Sequence, residues 1–288
     1  MKLFKYFTFL LFILLFFSCS EKEPETHPYS TWKSRKSSIF ETEVPGPDEL
    51  PEGDAFLWGG TVSHHLLAFS YIDSWFNKLK SHRNPSVFFI LSPSHFNVQT
   101  QEFSLTLDSW TDGEGLVNVD SKITGRLMKL LDVEEDPEAF DMEHGVSVFI
   151  PFIRRYFPEA VIVPVIYSGE PPLDVRFMDR LFNAVSEEYL NVFEESFLLV
   201  SSDFSHHGNA EETAERDLKS ERFFADPSGS GWFFAGCDNR PAMYVLSKLF
   251  SRIEDSSVSV LWNTNSSEIL DQQSDDITSY FFSFFYSN

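Results

Sequence analysis

The stretch that decides the fold is FLLVSSDFSHHG, residues 197–208. Its first four residues are apolar and predict a buried strand. Asp203 and His206 follow among small hydroxyl residues, and Gly208 breaks the pattern before a charged helical segment. Ligands of open α/β sheets bind beyond the carboxyl ends of strands, so this turn is a candidate site. Taken alone, it fits a polar surface turn about equally well.

Two other buried-strand patterns end in the same way. The apolar run from Phe56 leads to His64, and the run from Val87 leads to His95. Parallel strands place their carboxyl ends on one edge of a sheet, so His64, His95 and His206 can converge despite their separation in sequence. Neutral imidazole is the commonest metal-binding side chain. The three residues therefore predict a metal site.

Cys237 is the fourth candidate ligand. If Cys19 is lipidated or removed, Cys237 is a lone thiol in an exported chain and needs an explanation. A thiolate together with imidazoles suits zinc, copper or iron. The plainer alternative is an inert core residue, because free cysteines are among the most buried residues.

Strand and helix patterns alternate along most of the chain. This alternation predicts an α/β fold with a mostly parallel or mixed sheet covered on both faces. Four further runs predict strands, at 103–107, 160–166, 258–262 and 278–286. Periodic segments predict helices from about 67 to 80 and at 120–131, 141–158, 174–189 and 243–250.

The sequence predicts three segments: a signal over residues 1–19, a flexible tether over 20–54, and one domain over 55–288. Lys2 and Lys5 precede an apolar run that fits a signal-peptide core and is short for a membrane span. The Ser18–Cys19 junction resembles a bacterial lipoprotein signal, in which Cys19 is lipidated. An ordinary secretory signal and an uncleaved anchor stay open, and all three readings predict an exported, extracytoplasmic protein of the cell envelope.

The chain is strongly acidic, with a formal net charge of −22. Such a chain repels phosphate backbones and anionic membrane surfaces. We therefore expect no nucleic-acid partner, and membrane contact only through the lipid anchor.

Four short motifs occur in an order that resembles the MEMO family, called AmmeMemoRadiSam system protein B in bacteria and archaea. They are PSH at 93–95, EH at 143–144, SSDFSH at 201–206 and GCDNRP at 236–241. The resemblance covers about 55–288. It implies an α/β/α sandwich like that of class III extradiol dioxygenases, with a metal bound by His64, His95, His206 and Cys237. It also places Asp203, Glu143 and His144 near that metal.

The motifs depart from the family in three places. SHHL at 63–66 stands where the family has Pro-His-Ala-Gly, so the choice between His64 and His65 stays open. Gly145 follows Glu143–His144 where the family often has Ser. Asp238 and Asn239 follow Cys237 where the family has Gly and Arg.

The resemblance and the histidines together predict a redox-active, metal-dependent oxidoreductase that acts on a small molecule or dioxygen. Iron is the first choice of metal, with copper and zinc open. Asp203 and Glu143 would orient imidazoles or hold a proton, and His144 or His206 would be a general base. The resemblance also implies a functional link to a radical-SAM protein. A non-catalytic iron or copper carrier and a zinc hydrolase are the alternatives, and the sequence leaves open whether the protein is an enzyme.

Overall fold

The computed structural model describes residues 26–28, 41–48, 55–111, 113–168 and 174–288. The predicted signal, residues 1–19 with Cys19, lies outside the described residues, as does most of the predicted tether, 20–54. Among the helices that are described, none is both long enough and apolar enough to cross a membrane. The division into signal, tether and domain stays a prediction.

Strands and helices alternate through the described chain. The strands are β1 Thr26–Pro28, β2 Phe56–Val62, β3 Val87–Pro93, β4 Phe103–Ser104, β5 Ser109–Thr111, β6 Leu116–Val117, β7 Val161–Tyr167, β8 Ser196–Ser201, β9 Ser256–Asn265 and β10 Ser279–Ser287. The helices are α1 Phe69–His82, α2 Ser121–Leu131, α3 His144–Ser147, α4 Ile150–Tyr156, α5 Val175–Asn191, α6 Ala210–Ala225, α7 Gly231–Phe234, α8 Arg240–Phe250 and α9 Ser266–Leu270.

The main sheet has the strand order β4-β7-β3-β8-β2-β10-β9. Its four central strands, β7, β3, β8 and β2, run parallel. β4 joins one edge antiparallel to β7, and β10 and β9 extend the other edge as antiparallel strands. The sheet is therefore mixed, and the predicted fold class is confirmed.

Both faces of the sheet are buried, which explains the unbroken apolar runs of the central strands. Successive residues of a strand point to opposite faces. Phe88 accordingly lies in one hydrophobic cluster together with Trp75 of α1. Phe89 lies in a second cluster together with Leu181 of α5 and Leu246 of α8. Helices thus cover the sheet on both sides, as in an α/β/α sandwich.

Three details differ from the sequence prediction. The edge strand predicted at 103–107 pairs only over Phe103–Ser104. The helix predicted at 141–158 is two helices, α3 and α4, and Pro151 lies in the first turn of the second. Proline lacks an N–H donor and clashes with the carbonyl four residues earlier, so a continuous helix is disfavoured there. The small sheet β1-β5-β6 was not predicted.

The part of the predicted tether that is described contacts the domain. The backbone N–H of Asp48 donates to the Leu261 carbonyl, and the Trp262 indole donates to the Pro45 carbonyl at 2.9 Å. β1 pairs in parallel with β5. Residues 26–28 and 41–48 therefore lie along the domain.

Candidate metal centre

The parallel strands carry three of the predicted histidines to one edge of the sheet. His64 follows the end of β2 by two residues, His95 follows the end of β3 by two, and His206 follows the end of β8 by five. His144 is the first residue of α3, which packs near the end of β3. Four imidazoles are thus collected at the edge where ligands of such sheets bind.

His64, His95 and His144 form a group whose ligand atoms all lie within 4.8 Å of one another, and these three residues could hold a metal ion. The Nε2 atoms of His64 and His95 are 3.1 Å apart. Two imidazoles bound to one ion at about 2.0–2.1 Å have their nitrogens about 3 Å apart when they are adjacent ligands. His64 is buried, and His95 and His144 are half-buried, so the group opens to solvent on one side.

Glu143 fixes the orientation of His95. Its Oε1 lies 2.6 Å from His95 Nδ1, and its Oε2 accepts the His95 backbone N–H at 2.8 Å. This pairing directs His95 Nε2 toward His64. Burial lowers the pKa of His95, but the nearby carboxylates of Asp238 and Glu143 outweigh it and raise that pKa to about 10. Burial raises the pKa of Glu143, and His95 more than reverses this.

Hydroxyl groups and Asp203 surround His64. Ser201 Oγ is hydrogen-bonded to His64 Nδ1 at 2.9 Å, which leaves Nε2 directed at the centre. Asp203 is buried, and its Oδ2 lies 3.6 Å from His64 Nε2. Ser63 donates to Asp203 Oδ1 at 2.5 Å. The structure therefore places both predicted carboxylates, Asp203 and Glu143, against the histidines that they were expected to orient.

Asp238 enters the same centre and was not predicted as a site residue. Its Oδ2 lies 3.3 Å from His64 Nε2, 3.6 Å from His206 Nε2 and 3.9 Å from His95 Nε2. Burial raises the pKa of Asp238, but the three histidines, His64 first, hold it well below its ordinary value. The only signal in the sequence is its position beside Cys237, directly before the Asn–Arg–Pro start of α8.

The other two predicted ligands lie at the margin of the triad. His206 reaches the centre through Asp238, and its side chain is 35% exposed. Burial opposes protonation of His206, but Asp238 and Asp203 raise its pKa. Cys237 packs against the second hydrophobic cluster. Burial raises the pKa of the Cys237 thiol to about 12, and the charge of Asp238 adds to this. As metal ligands, both residues stay predictions.

The neighbouring histidines point elsewhere. His65 is exposed, and its Nδ1 is hydrogen-bonded to Tyr280 Oη at 2.7 Å. His207 is exposed and pairs with Asp276 at 2.9 Å. Of the two adjacent pairs, His64 and His206 are therefore the members that face the centre.

Fold and centre together define an α/β protein with a histidine-rich group at the ends of its parallel strands. A family model described as Memo-like protein matches residues 70–224, more than half of the chain. The chain belongs to this family, as the four sequence motifs predicted. His95, Glu143, His144, Asp203 and His206 lie within the matched residues, whereas His64, Cys237 and Asp238 lie outside them.

Curated relatives extend the match to more of the chain. A MEMO1 family protein of Caldivirga maquilingensis is 28% identical over 198 residues, which are 68% of this chain and 64% of that protein. A MEMO1 family protein of Pyrobaculum aerophilum is 27% identical over 172 residues, 59% of this chain and 60% of that protein. The chain thus spans about six tenths of the length of these relatives.

Among solved structures, an uncharacterized protein of Escherichia coli K12 superposes with a TM-score of 0.49 at 11% identity. The superposition covers 79% of this chain and 99% of that one. A likeness of this degree supports no conclusion about function.

Proposed function

We propose that the protein binds one divalent metal ion at His64 and His95, with His144 beside them, and uses it as an oxidoreductase. The observation that carries the proposal is the 3.1 Å separation of the His64 and His95 Nε2 atoms, with a third imidazole in the same group. Imidazole suits iron, copper and zinc alike. Iron is proposed first, because the family resemblance implies it.

The residues fit an ion at this position. Within the described chain, His206 Nε2 and Asp238 Oδ2 are buried polar atoms with no hydrogen-bond partner, and both face the group. Buried polar atoms are nearly always paired with protein, water or an ion. An ion bound among these side chains would satisfy both atoms.

Iron would supply Lewis acidity and one-electron chemistry when bound. The side chains of the protein would orient the ligands and transfer protons. Glu143 and Ser201 hold the rings of His95 and His64 in place, which limits movement of the centre. The side chains of His206 and His144 are 35% and 19% exposed, so both imidazoles are open to solvent in part. Each can take or give a proton to a small molecule that enters from the open side.

Elemental analysis of protein purified without oxygen tests the metal proposal. We expect about one equivalent of metal in the wild type and loss of it in His95→Ala. The matched control is His82→Ala, which removes an exposed histidine at the end of α1. Equal metal content in wild type and His95→Ala would contradict the site.

Oxygen uptake by the iron-loaded protein with a panel of catechols tests the reaction. We expect substrate-dependent uptake that His144→Ala reduces. Tight, reversible metal binding without uptake would reject the enzyme and leave the carrier.

We also propose that the protein is exported and anchored by a lipid on Cys19. The support is the sequence pattern of residues 1–19 alone. Metabolic labelling with a fatty acid should mark the wild type and Cys237→Ala but not Cys19→Ala. Label that persists in Cys19→Ala would show that this cysteine is not the anchor.

A further inference from the structure

Asp238 lies closer to His64 Nε2 than Asp203 does, at 3.3 Å against 3.6 Å. Asp238 Oδ2 lies 3.3 Å from His64 Nε2 and 3.9 Å from His95 Nε2. The two Nε2 atoms are 3.1 Å apart. Ligands about 2.0–2.2 Å from one ion lie about 3 Å apart when adjacent and at most about 4.3 Å apart when opposite. All three separations fall in this range, so a single ion can contact the three atoms without rearrangement.

Hydrogen bonds fix the orientation of the Asp238 carboxylate. Ser202 Oγ donates to Oδ1 at 3.0 Å, and the backbone N–H of Asp203 donates to the same oxygen at 3.1 Å. Oδ2 is buried and accepts no hydrogen bond from the described residues. One oxygen is thus held by the protein and the other is presented to the imidazoles, as expected for a ligand that binds through one oxygen.

Asn239 anchors the backbone next to Asp238. Its side chain is fully buried and donates to the Leu91 carbonyl at the end of β3 and to the Ser201 carbonyl at the end of β8. It also accepts the Tyr167 hydroxyl of β7 at 2.9 Å. The segment that carries Asp238 is therefore fastened to the strand ends next to His95 and to the Ser201 partner of His64.

Cys237, the preceding residue, is placed differently. Its side chain contacts the second hydrophobic cluster. Neither Cys237 nor Asp238 belongs to the group of three histidines, but Asp238 Oδ2 lies 3.3 Å from His64 Nε2 and 3.6 Å from His206 Nε2. Successive side chains thus divide, Cys237 packing against the core and Asp238 entering the centre.

We propose that His64, His95 and Asp238 form a two-histidine, one-carboxylate set for one divalent ion, with His144 and His206 at its sides. This rests on the proposed function, since it presupposes that the centre binds metal. A set of this kind with open positions is diagnostic of non-haem iron(II) oxygenases. The ion class that follows is iron(II), and Asp238, in place of a thiolate, is the anionic ligand.

Cobalt(II) is a suitable probe, because a cobalt–thiolate bond gives an intense near-ultraviolet charge-transfer band that nitrogen and oxygen ligands do not give. We expect the wild type to bind one cobalt(II) without this band. Asp238→Asn should bind cobalt(II) and iron(II) at least about tenfold more weakly. Its amide oxygen can still accept the two hydrogen bonds to Oδ1, so folding is preserved. Cys237→Ser is the matched control and should bind as the wild type does.

Two results would overturn the assignment of Asp238 while leaving the metal site intact. One is a charge-transfer band in the wild type that disappears in Cys237→Ser. The other is wild-type affinity in Asp238→Asn together with loss of metal in His95→Ala. A wild type that binds neither cobalt(II) nor iron(II) would overturn both this inference and the proposed function. The charge-transfer band is read on the wild type, so the test stands even if Asp238→Asn does not fold.

Discussion

Glu143 shows how one buried side chain sets up the centre. It accepts from the backbone N–H groups of His95 and Gly145 and pairs with the His95 ring. Glu143→Gln keeps the shape of the side chain but removes the charge that orients the imidazole. Loss of such a partner typically weakens metal binding about 10–100-fold. We expect that range for iron(II) in an anaerobic titration.

The matched control is Glu138→Gln, which neutralises an exposed glutamate on the turn just before Glu143. It should leave iron(II) affinity unchanged. Equal affinity in wild type and Glu143→Gln would show that His95 is oriented without this carboxylate.

Gly145 lies where α3 passes close to the end of β3. A Cβ at this position would lie 2.0 Å from Ser92 Oγ and 3.3 Å from His95 Cε1. Gly145→Ala should therefore force apart α3 and the end of β3, at a cost of about 1–3 kcal/mol in the free energy of unfolding. Urea unfolding measures it. Ser92→Ala should recover part of the loss in the double variant.

Gly125→Ala is the control for this substitution. Gly125 lies inside α2, and a Cβ there meets nothing within 4 Å. Alanine should stabilise the helix by about 0.5–1 kcal/mol. Similar effects of both alanines would mean that Gly145 is not confined by Ser92.

At the scale of elements, the sequence predicted the strands and helices that show a clear apolar pattern. Residues 87–91 and 197–200 are unbroken apolar runs, and both are central strands of the sheet. The prediction made β4 too long and missed β6, because a strand of two residues is too short to show an alternating pattern. Strand ends predicted where His64 and His95 meet. Asp238 was missed, because it follows a loop and its approach depends on how α8 docks on the sheet.

The docking of α8 on the sheet depends on its N-cap residue, Asn239. Asn239→Ala removes the bonds to Leu91, Ser201 and Tyr167 and leaves buried groups unpaired. Each unpaired group costs about 1–3 kcal/mol, so we expect the free energy of unfolding to fall by at least about 2 kcal/mol. Bound metal should fall with it, because Asp238 loses its support. Urea unfolding and elemental analysis measure the two effects.

Asn209→Ala provides the comparison. Asn209 caps α6 in a capping box with Glu212, and its side chain accepts from the backbone N–H groups of Glu211 and Glu212. Its loss should cost about 1 kcal/mol and leave metal content unchanged. If Asn239→Ala retains full metal content, the support of Asp238 does not come from this cap.

At the scale of the whole molecule, acidic charge limits stability at neutral pH. The net charge is −22, and Asp217 of α6 is among the carboxyl groups that are buried in the described chain. Burial, with a contribution from the nearby charges of Glu221 and Glu268, raises the pKa of Asp217 to about 6 against the hydrogen bond from Ser279, which lowers it. The folded protein therefore holds a proton on Asp217 more tightly than the unfolded chain, whose carboxyl has its ordinary pKa near 3.8.

This difference fixes the sign of the pH dependence. Between about pH 4 and pH 6 the folded state binds more protons than the unfolded state, so the contribution of Asp217 to stability falls as pH rises and levels off above about pH 7. The full change is on the order of 2–3 kcal/mol.

Asp217→Asn keeps an oxygen that accepts from Ser279 and has no proton to lose. Urea unfolding at pH 4.5 and pH 7.5 should show a smaller loss of stability with pH in this variant than in the wild type. Glu254→Gln, which removes one exposed carboxylate, should keep the wild-type difference. If Asp217→Asn keeps that difference as well, the acidic surface as a whole, and not this buried carboxyl, governs stability at neutral pH.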